Sequence, residues 1–401
     1  MKVLIGDKFP DDRVAAMKAL GVDVSYQPKV GAAGLPAAVK DANVLIVRST
    51  QVTAETIGAS SSLALIIRAG AGVDTIDCGA ASARGIYVAN CPGKNSVAVA
   101  ELAMGLMCAL DRRIPDNVAD LRAGQWNKAE YSKADGLLGK TLGVVGVGQI
   151  GREVIKRALA FGMNVVAWSR SLTPDKAAEL GVTFCSRLEQ LVDQADIVSL
   201  HLAQTAETKG LFSAELIGMM KPGAWLVNTA RAGVVDEKAL VAAVEAGKIR
   251  AATDVFSDEP EAKDGPYQSR LGRVKGVYGT HHIGASTEQA QSAVADEAVR
   301  ILKTYLETGQ VLNWVNRCAK SPAKWQIVVR HFDRPGVLAN VLGELKAASL
   351  NAEEISNVIF EGAKAACCTI QVDQEPPDAV MAAIRARSAE VISAELVNLG
   401  A

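Results

Sequence analysis

Short apolar runs alternate with amphipathic segments through the first three quarters of the chain. "KVLIG" precedes the helix-patterned "DDRVAAMKAL", which Gly21 closes; "VDVSY", "LPAAVKDA", "NVLIVRS", "TAETIGAS" and "LALIIRAG" follow. Continuous apolar runs between amphipathic helices predict parallel strands buried on both faces. A second series opens near Gly139. "GKTLGVVGVGQIG" runs into "REVIKRALAFG", then come "MNVVAWS", "ADIVSLHL", "AWLVNTAR" and "RAATDVF". This is the pattern of a second doubly wound sheet. Beyond "RCAKSPAK", Arg317 to Lys324, the pattern changes. "KWQIVVRHF", "NAEEISNVIF", "AACCTIQV" and "VISAELVNL" read as strands; "RPGVLANVLGELKAASL" and "PPDAVMAAIRARS" read as helices. The order βαββαβ is that of a ferredoxin-like module. The expected class is α/β: two doubly wound parallel-sheet domains plus that module. Many functions share the module's order, so order alone identifies none.

Composition narrows the setting. A length of 401 residues allows two or three domains. With 49% hydrophobic and 22% charged residues, a substantial core is expected rather than disorder. A formal net charge of −1 gives no footprint for nucleic acid or a membrane surface. The longest apolar run, Val97 to Leu110, is interrupted by Glu101 and too short to span a bilayer. It reads as a buried interdomain helix. "MKVLIGDKFP" reads as a strand and turn rather than a signal peptide, so a soluble cytoplasmic protein is expected. Seven scattered cysteines show no zinc spacing, and four histidines form no HExxH pattern, so no metal site is expected. Cys367-Cys368 reads as strand filling.

The chemistry starts at Gly146-Val147-Gly148-Gln149-Ile150-Gly151. A strand precedes this GxGxxG and a helix follows it, the context a dinucleotide turn requires. Gly146 permits the tight turn, Gly148 lets backbone approach a pyrophosphate, and Gly151 lets helix pack on strand. The helix N-terminus then presents free N–H groups to phosphate. One strand on, where such folds place an acid on the ribose, stand Ser169 and Arg170. Serine removes repulsion of a 2′-phosphate, and arginine can pair with one or lie in solvent. NAD and NADP both remain open.

Three more strand ends carry candidate chemistry: "VNTARAGVVDE" with Arg231, "TDVFSDEP" with Asp254 and Glu259, and "GTHHIGAST" with His281 and His282. An arginine holds a carboxylate and polarises a carbonyl. A histidine moves the proton that accompanies hydride transfer, and a carboxylate beside it raises its pKa and fixes its tautomer.

Taken together with "VRST", "IRAGAGVDTID", "NCPGKNSVAVAEL" and "DRPGVLANVLGEL", these segments resemble the D-isomer-specific 2-hydroxyacid dehydrogenases along nearly the whole chain. Within that family the chain is most similar to members that oxidise 3-phospho-D-glycerate to 3-phosphooxypyruvate, the entry to serine. The resemblance implies Arg231, Glu259 and His282 as catalytic set, with His281, where proline is usual, a bystander. It implies cofactor contacts at Gly146, Gly148, Gln149, Ile150, Gly151, Ser169, Arg170, Thr229, Ala230, Asp254, Gly284 and Ala285. It implies substrate contacts at Arg48, Ser49, Ala71, Gly72 and Asn95, Arg48 meeting the substrate phosphate. Ala71 replaces a frequent threonine, and Leu202-Ala203 a pair usually ending in proline.

The resemblance also implies a discontinuous substrate domain, 1–96 and 283–317, around a cofactor domain, 97–282. A linker, 318–324, and an ACT domain, 325–401, follow. In serine-inhibited relatives, L-serine binds at the positions of His331 and Asn351, with asparagine where Asp333 stands here. The alternative is an ACT domain used only for assembly. A homodimer through the cofactor domain, or a tetramer through ACT pairing, is expected. Two other readings stand beside the first: an NADPH-dependent glyoxylate or hydroxypyruvate reductase, and a non-catalytic NAD(H)-sensing regulatory protein.

Overall fold

The structure is a computed structural model. It describes residues 1–260, 265–318 and 321–400. Residues 261–264 of the cofactor segment, 319–320 of the linker and 401 of the last module lie outside the described residues. The chain forms two compact units, Met1–Asn316 and Arg317–Ala401.

The first unit holds two parallel sheets. One comprises β1 (Lys2–Ile5), β2 (Asp23–Tyr26), β3 (Val44–Val47), β4 (Leu65–Arg68) and β5 (Tyr87–Asn90), in the order β2-β1-β3-β4-β5. The other comprises β6 (Thr141–Val145), β7 (Asn164–Trp168), β8 (Thr183–Phe184), β9 (Ile197–Leu200), β10 (Trp225–Asn228), β11 (Arg250–Thr253) and β12 (Val277–Gly279). Its order is β12-β11-β10-β9-β6-β7-β8. The strand order reverses beside β6, so the crevice outside the carboxyl ends opens there. Strands such as "VLIV" of β3 and "IVSL" of β9 are buried along their full length, as expected where helices cover both faces.

Two long helices cross between these sheets. Ser96–Arg112 starts after β5 and buries Ala100, Ala103, Met107 and Leu110 against Val144, Val154 and Val227 of the second sheet's core. Glu288–Thr308 follows the second sheet yet returns to the first. Its Val294, Ala298, Ile301 and Leu302 share a core with Val3, Ile5, Ile46 and Ile67. The Thr287 hydroxyl caps its N-terminus by accepting from Ala290 N–H, and Gly309 ends it at φ 71°.

The second unit is an antiparallel sheet of β13 (Trp325–Phe332), β14 (Ala352–Ile359), β15 (Ala365–Val372) and β16 (Val391–Asn398), in the order β14-β15-β13-β16. Helices Val337–Ala347 and Asp378–Ala386 complete the βαββαβ arrangement. Ile327, Val329, Cys368 and Ile370 form its core with Val341, Leu345 and Ile384, and Cys367 on the opposite face is half-buried.

Some elements depart from the sequence pattern. The helix expected from Leu35 starts at Gly31 and ends at Ala38. Helices Ile114–Arg122 and Lys128–Tyr131 bury no residue, so no apolar stripe announces them. Among the described residues no helix is long and apolar enough to cross a membrane.

Ile301 is fully buried between the returning helix and the first sheet. Ile301→Ala is expected to cost roughly 2–5 kcal/mol. The check is the midpoint of urea unfolding; an unchanged midpoint would contradict this packing.

Candidate active site

Parallel strands end on one side, and the candidate residues follow those ends. Arg48 stands directly after β3, Arg68 ends β4, and Gly146 follows β6. Arg231 lies just beyond β10, Asp254 directly after β11, and His282 just beyond β12.

His282 is placed by Asp254. That carboxylate is 1% exposed. One oxygen accepts from the Thr280 hydroxyl at 2.6 Å and Ile283 N–H at 2.8 Å, the other from Gly284 N–H at 2.8 Å. The turn 280–284 is thereby pinned to the end of β11. Within it His282 adopts φ 52°, a left-handed conformation uncommon outside glycine. Asp254 was expected as a cofactor contact; in the structure its carboxylate first of all holds this turn.

The His282 ring meets Glu259 across 2.7 Å, Nδ1 to Oε2. Phe256 N–H donates to the other Glu259 oxygen at 2.9 Å, which fixes the carboxylate. The Glu259 hydrogen bond raises the His282 pKa against the opposing effect of burial. Burial pushes Glu259 up, but the His282 ring and Phe256 N–H outweigh it and leave its pKa below the ordinary value.

Elsewhere His201 is half-buried with its Nδ1 shut away from solvent, desolvation pushes its pKa down to about 4, and its Nε2 meets the Ser199 hydroxyl at 2.9 Å. His281 is exposed, and His331 belongs to the second unit. Among the described residues only His282 has a carboxylate on its ring.

Arg231 reaches across to the loop after β4. Its Nε donates to one oxygen of Asp74 at 3.0 Å, its Nη2 forms an ion pair with the same oxygen at 2.9 Å, and its Nη1 donates to the Ala230 carbonyl at 2.8 Å. The Asn228 side chain shapes this turn, accepting from Ala230 N–H and donating to the Arg231 carbonyl, both at 3.0 Å. Arg68 packs so closely on Gly70 that a Cβ there would collide with the guanidinium. Burial lowers the Arg68 pKa, and Arg231 and Arg48 lower it further. Three cations therefore converge on the crevice.

Arg48 and Ser49 are held by Asp7, whose carboxylate accepts the N–H groups of Arg48, Ser49 and Thr50 at 2.8–3.0 Å. Burial pushes Asp7 up, but these donors leave it below its usual value. The Arg48 guanidinium donates to Gln291 at 3.2 Å. In the next loop Lys94 stands 3.3 Å from Glu297, a buried carboxylate held down at about 2 by Arg300 first of all.

The glycine turn fits a dinucleotide. Gly146 has φ 98°, and a Cβ on it would collide with the His201 carbonyl. A Cβ on Gly151 would strike the Gly146 carbonyl, while the space beside Gly148 is open. The helix Gln149–Ala160 begins there without a side-chain cap, leaving its first N–H groups for an anion. Gln149 packs on Gly93, and Ile150 joins the core behind the turn. Ser169 is half-buried and Arg170 exposed at the end of β7. Thr229 and Ala230 are buried, and Thr229 Oγ1 has no hydrogen-bond partner among the described residues. Neither has Oδ1 of Asn95, the substrate-loop residue that opens helix Ser96–Arg112. Gly284 is buried and Ala285 half-buried beside them. Ala71 gives its carbonyl to the Asn90 side chain at 2.6 Å, and Gly72 abuts Arg231.

Comparison with known proteins agrees with this geometry. Residues 104–284 match the model of the D-isomer specific 2-hydroxyacid dehydrogenase, NAD binding domain. The hydroxypyruvate reductase of Thermotoga maritima is 44% identical over 273 residues, 68% of this chain and 86% of that protein. The chain belongs to the D-isomer specific 2-hydroxyacid dehydrogenases. The D-3-phosphoglycerate dehydrogenase of Methanocaldococcus jannaschii is 39% identical over 363 residues, 90% of this chain. The chain spans only 65% of that relative's length. Among solved structures, the NAD+-bound 3-phosphoglycerate dehydrogenase of Entamoeba histolytica superposes with a TM-score of 0.67 at 28% identity. It covers 79% of this chain and 99% of its own.

The crevice is shaped by residues that sequence pattern alone left unread: Asp7, Arg68, Asp74 and Asn228. Arg68 and Asp74 lie inside the quoted "IRAGAGVDTID", and Asn228 directly precedes Thr229, but no local pattern marks what they hold. In the second unit, His331 is buried and bonds Asn357 at 3.1 Å through Nε2. Asn351 instead bonds Glu353 and Asp373, and Asp333 N–H bonds the Lys364 carbonyl. His331 and Asn351 therefore have separate partners.

Glu259→Gln removes the main cause of the raised His282 pKa and leaves burial and Arg231 to lower it against the smaller effect of Asp254. The imidazole pKa is then expected to fall to or below its ordinary value, as followed by NMR titration. An unchanged pKa would contradict the pairing.

Proposed function

We propose that the chain is a D-3-phosphoglycerate dehydrogenase, oxidising 3-phospho-D-glycerate to 3-phosphooxypyruvate with NAD or NADP in the first step of L-serine biosynthesis. One observation carries the reading: the Glu259–His282 pair and Arg231 face a crevice that also receives Arg48 and Arg68. The pair and Arg231 suit a 2-hydroxy acid, and the two further cations suit a phosphate on it.

A nicotinamide dinucleotide would be held at Gly146–Gly151, Thr229–Ala230 and Gly284–Ala285 and would supply the hydride acceptor. This chain's residues do the rest. Nε2 of His282 takes the C2 hydroxyl proton, while Glu259 on Nδ1 holds the tautomer and stabilises the imidazolium. Arg231 binds the carboxylate and polarises the nascent carbonyl. Arg48 and Arg68 neutralise phosphate, with Ser49, Ala71, Gly72 and Asn95 around the substrate. In reduction the same imidazolium returns the proton, and its raised pKa keeps the acid form to higher pH than an ordinary histidine would.

A second reading, an NADPH-dependent glyoxylate or hydroxypyruvate reductase, draws support from Ser169-Arg170 and the Thermotoga relative. The two separate on substrate phosphate. A sensing protein of this family would bind nicotinamide without turnover.

We read the lobes as a substrate domain, 1–96 and 283–317, and a cofactor domain, 97–282. The segment 325–401 is an ACT domain after the linker 318–324. L-serine is the proposed effector at His331, Asp333 and Asn351, which requires Asn357 to yield His331. A homodimer is proposed through the cofactor domain, where Ile114, Leu121, Trp126 and Leu138 are exposed, with a tetramer by ACT pairing. The proposed location is cytoplasmic.

His282→Ala is expected to lower kcat by about a hundredfold or more, with His281→Ala near wild type. Steady-state reduction followed at 340 nm checks this, and the opposite ranking would refute the assignment. On the same assay Arg48→Ala is expected to raise KM for 3-phosphooxypyruvate about tenfold, the loss of one charge-assisted bond. KM for hydroxypyruvate should stay unchanged. Equal effects on both would favour the reductase reading.

A further inference from the structure

Arg231 has five N–H donors in a rigid plane. Nε donates to one oxygen of Asp74 at 3.0 Å, and Nη2, on the same edge of the guanidinium, lies 2.9 Å from that oxygen as an ion pair. On the other side Nη1 donates to the Ala230 carbonyl at 2.8 Å. One N–H on Nη1 and one on Nη2 remain. They are parallel and leave the end of the side chain as a fork, the shape a carboxylate accepts in two bonds. Arg231 belongs to the turn after β10 and Asp74 to the loop after β4, so the contact joins the two sheets across the crevice. Gly72, between β4 and Asp74, abuts Nη2 with no room for a Cβ. The loop backbone is thus fitted to the guanidinium, beyond a contact of two flexible tips.

Asp74 is half-exposed and Arg231 about a third, so the pair adds little to stability. Its geometric effect is larger, because a long arginine side chain left alone samples many rotamers.

We infer that Asp74 is the positioning residue for Arg231: it takes the side edge of the guanidinium, so that the end fork alone meets the substrate carboxylate. This rests on the reading of Arg231 given above. Asp74 acts on the substrate through Arg231. It also places a negative charge beside Arg68, within the group of cations formed with Arg48.

The test uses the full chain, wild type against Asp74→Ala and Asp74→Asn, with 3-phosphooxypyruvate and hydroxypyruvate as substrates. Misplacing the guanidinium is expected to lower kcat/KM of Asp74→Ala roughly a hundredfold on both substrates. NADH affinity, read by fluorescence quenching, and the pH at which His282 titrates should stay at wild-type values. Asp74→Asn keeps one acceptor oxygen and should recover part of the loss; added formate should recover part of it in Asp74→Ala. Both variants within twofold of wild type would overturn the proposal, as would a loss confined to NADH binding. If wild type turns over neither substrate, the functional reading fails separately. Oxamate affinity of the NADH complex then decides: weaker binding in both variants supports the positioning role, and equal binding overturns it.

Discussion

The buried carboxylate of Asp254 is the constraint on which the site depends. An ionised carboxylate out of water is unfavourable unless donors surround it. Here the Thr280 hydroxyl and the N–H groups of Ile283 and Gly284 do so. Satisfying the charge fixes the path of the chain just beyond β12. That path makes His282 take a left-handed backbone conformation and turns its ring to Glu259. The position of His282 thus follows from the solvation of a neighbouring carboxylate.

The same device recurs around the crevice. Asp7 gathers three N–H groups and shapes the turn that carries Arg48. Glu297 anchors Lys94, and Asp74 holds Arg231. Each acid lies on a different element from the residue it places. The parallel sheets bring strand ends together, and carboxylates from neighbouring segments then set the orientation of the cations and of the histidine. The glycine turn stands apart, because its geometry is set by the absence of side chains at Gly146 and Gly151.

Much of this was legible in the sequence, where physical demands are local. The run "GVGQIG" specifies its turn because a Cβ on the first or last glycine meets backbone within the same crevice. The buried strands specify themselves through unbroken apolar runs. Arg231, Glu259 and His282 were legible through the order of several segments, since each alone is an ordinary polar residue. What was not legible is nonlocal or weakly patterned. Asp7 serves residues more than forty positions away, and Asp74 a residue 157 positions away. The helix Ile114–Arg122 buries nothing, and β8 has only two residues. Asp254 was expected as a cofactor contact, and its hold on the 280–284 turn depends on a tertiary arrangement that no spacing encodes.

The most direct test of the central claim, that this crevice transfers hydride to C2 of a 2-oxo acid, uses nicotinamide deuterated at C4. Wild-type protein would be incubated with 3-phosphooxypyruvate and the deuterated reduced cofactor, NADH or NADPH, and the product analysed by mass spectrometry. The account predicts one deuterium on C2 of the D-hydroxy acid with at least one of the two cofactors. Tight cofactor binding with no deuterated product from this or any other 2-oxo acid would contradict it and leave a protein that senses nicotinamide without turning it over.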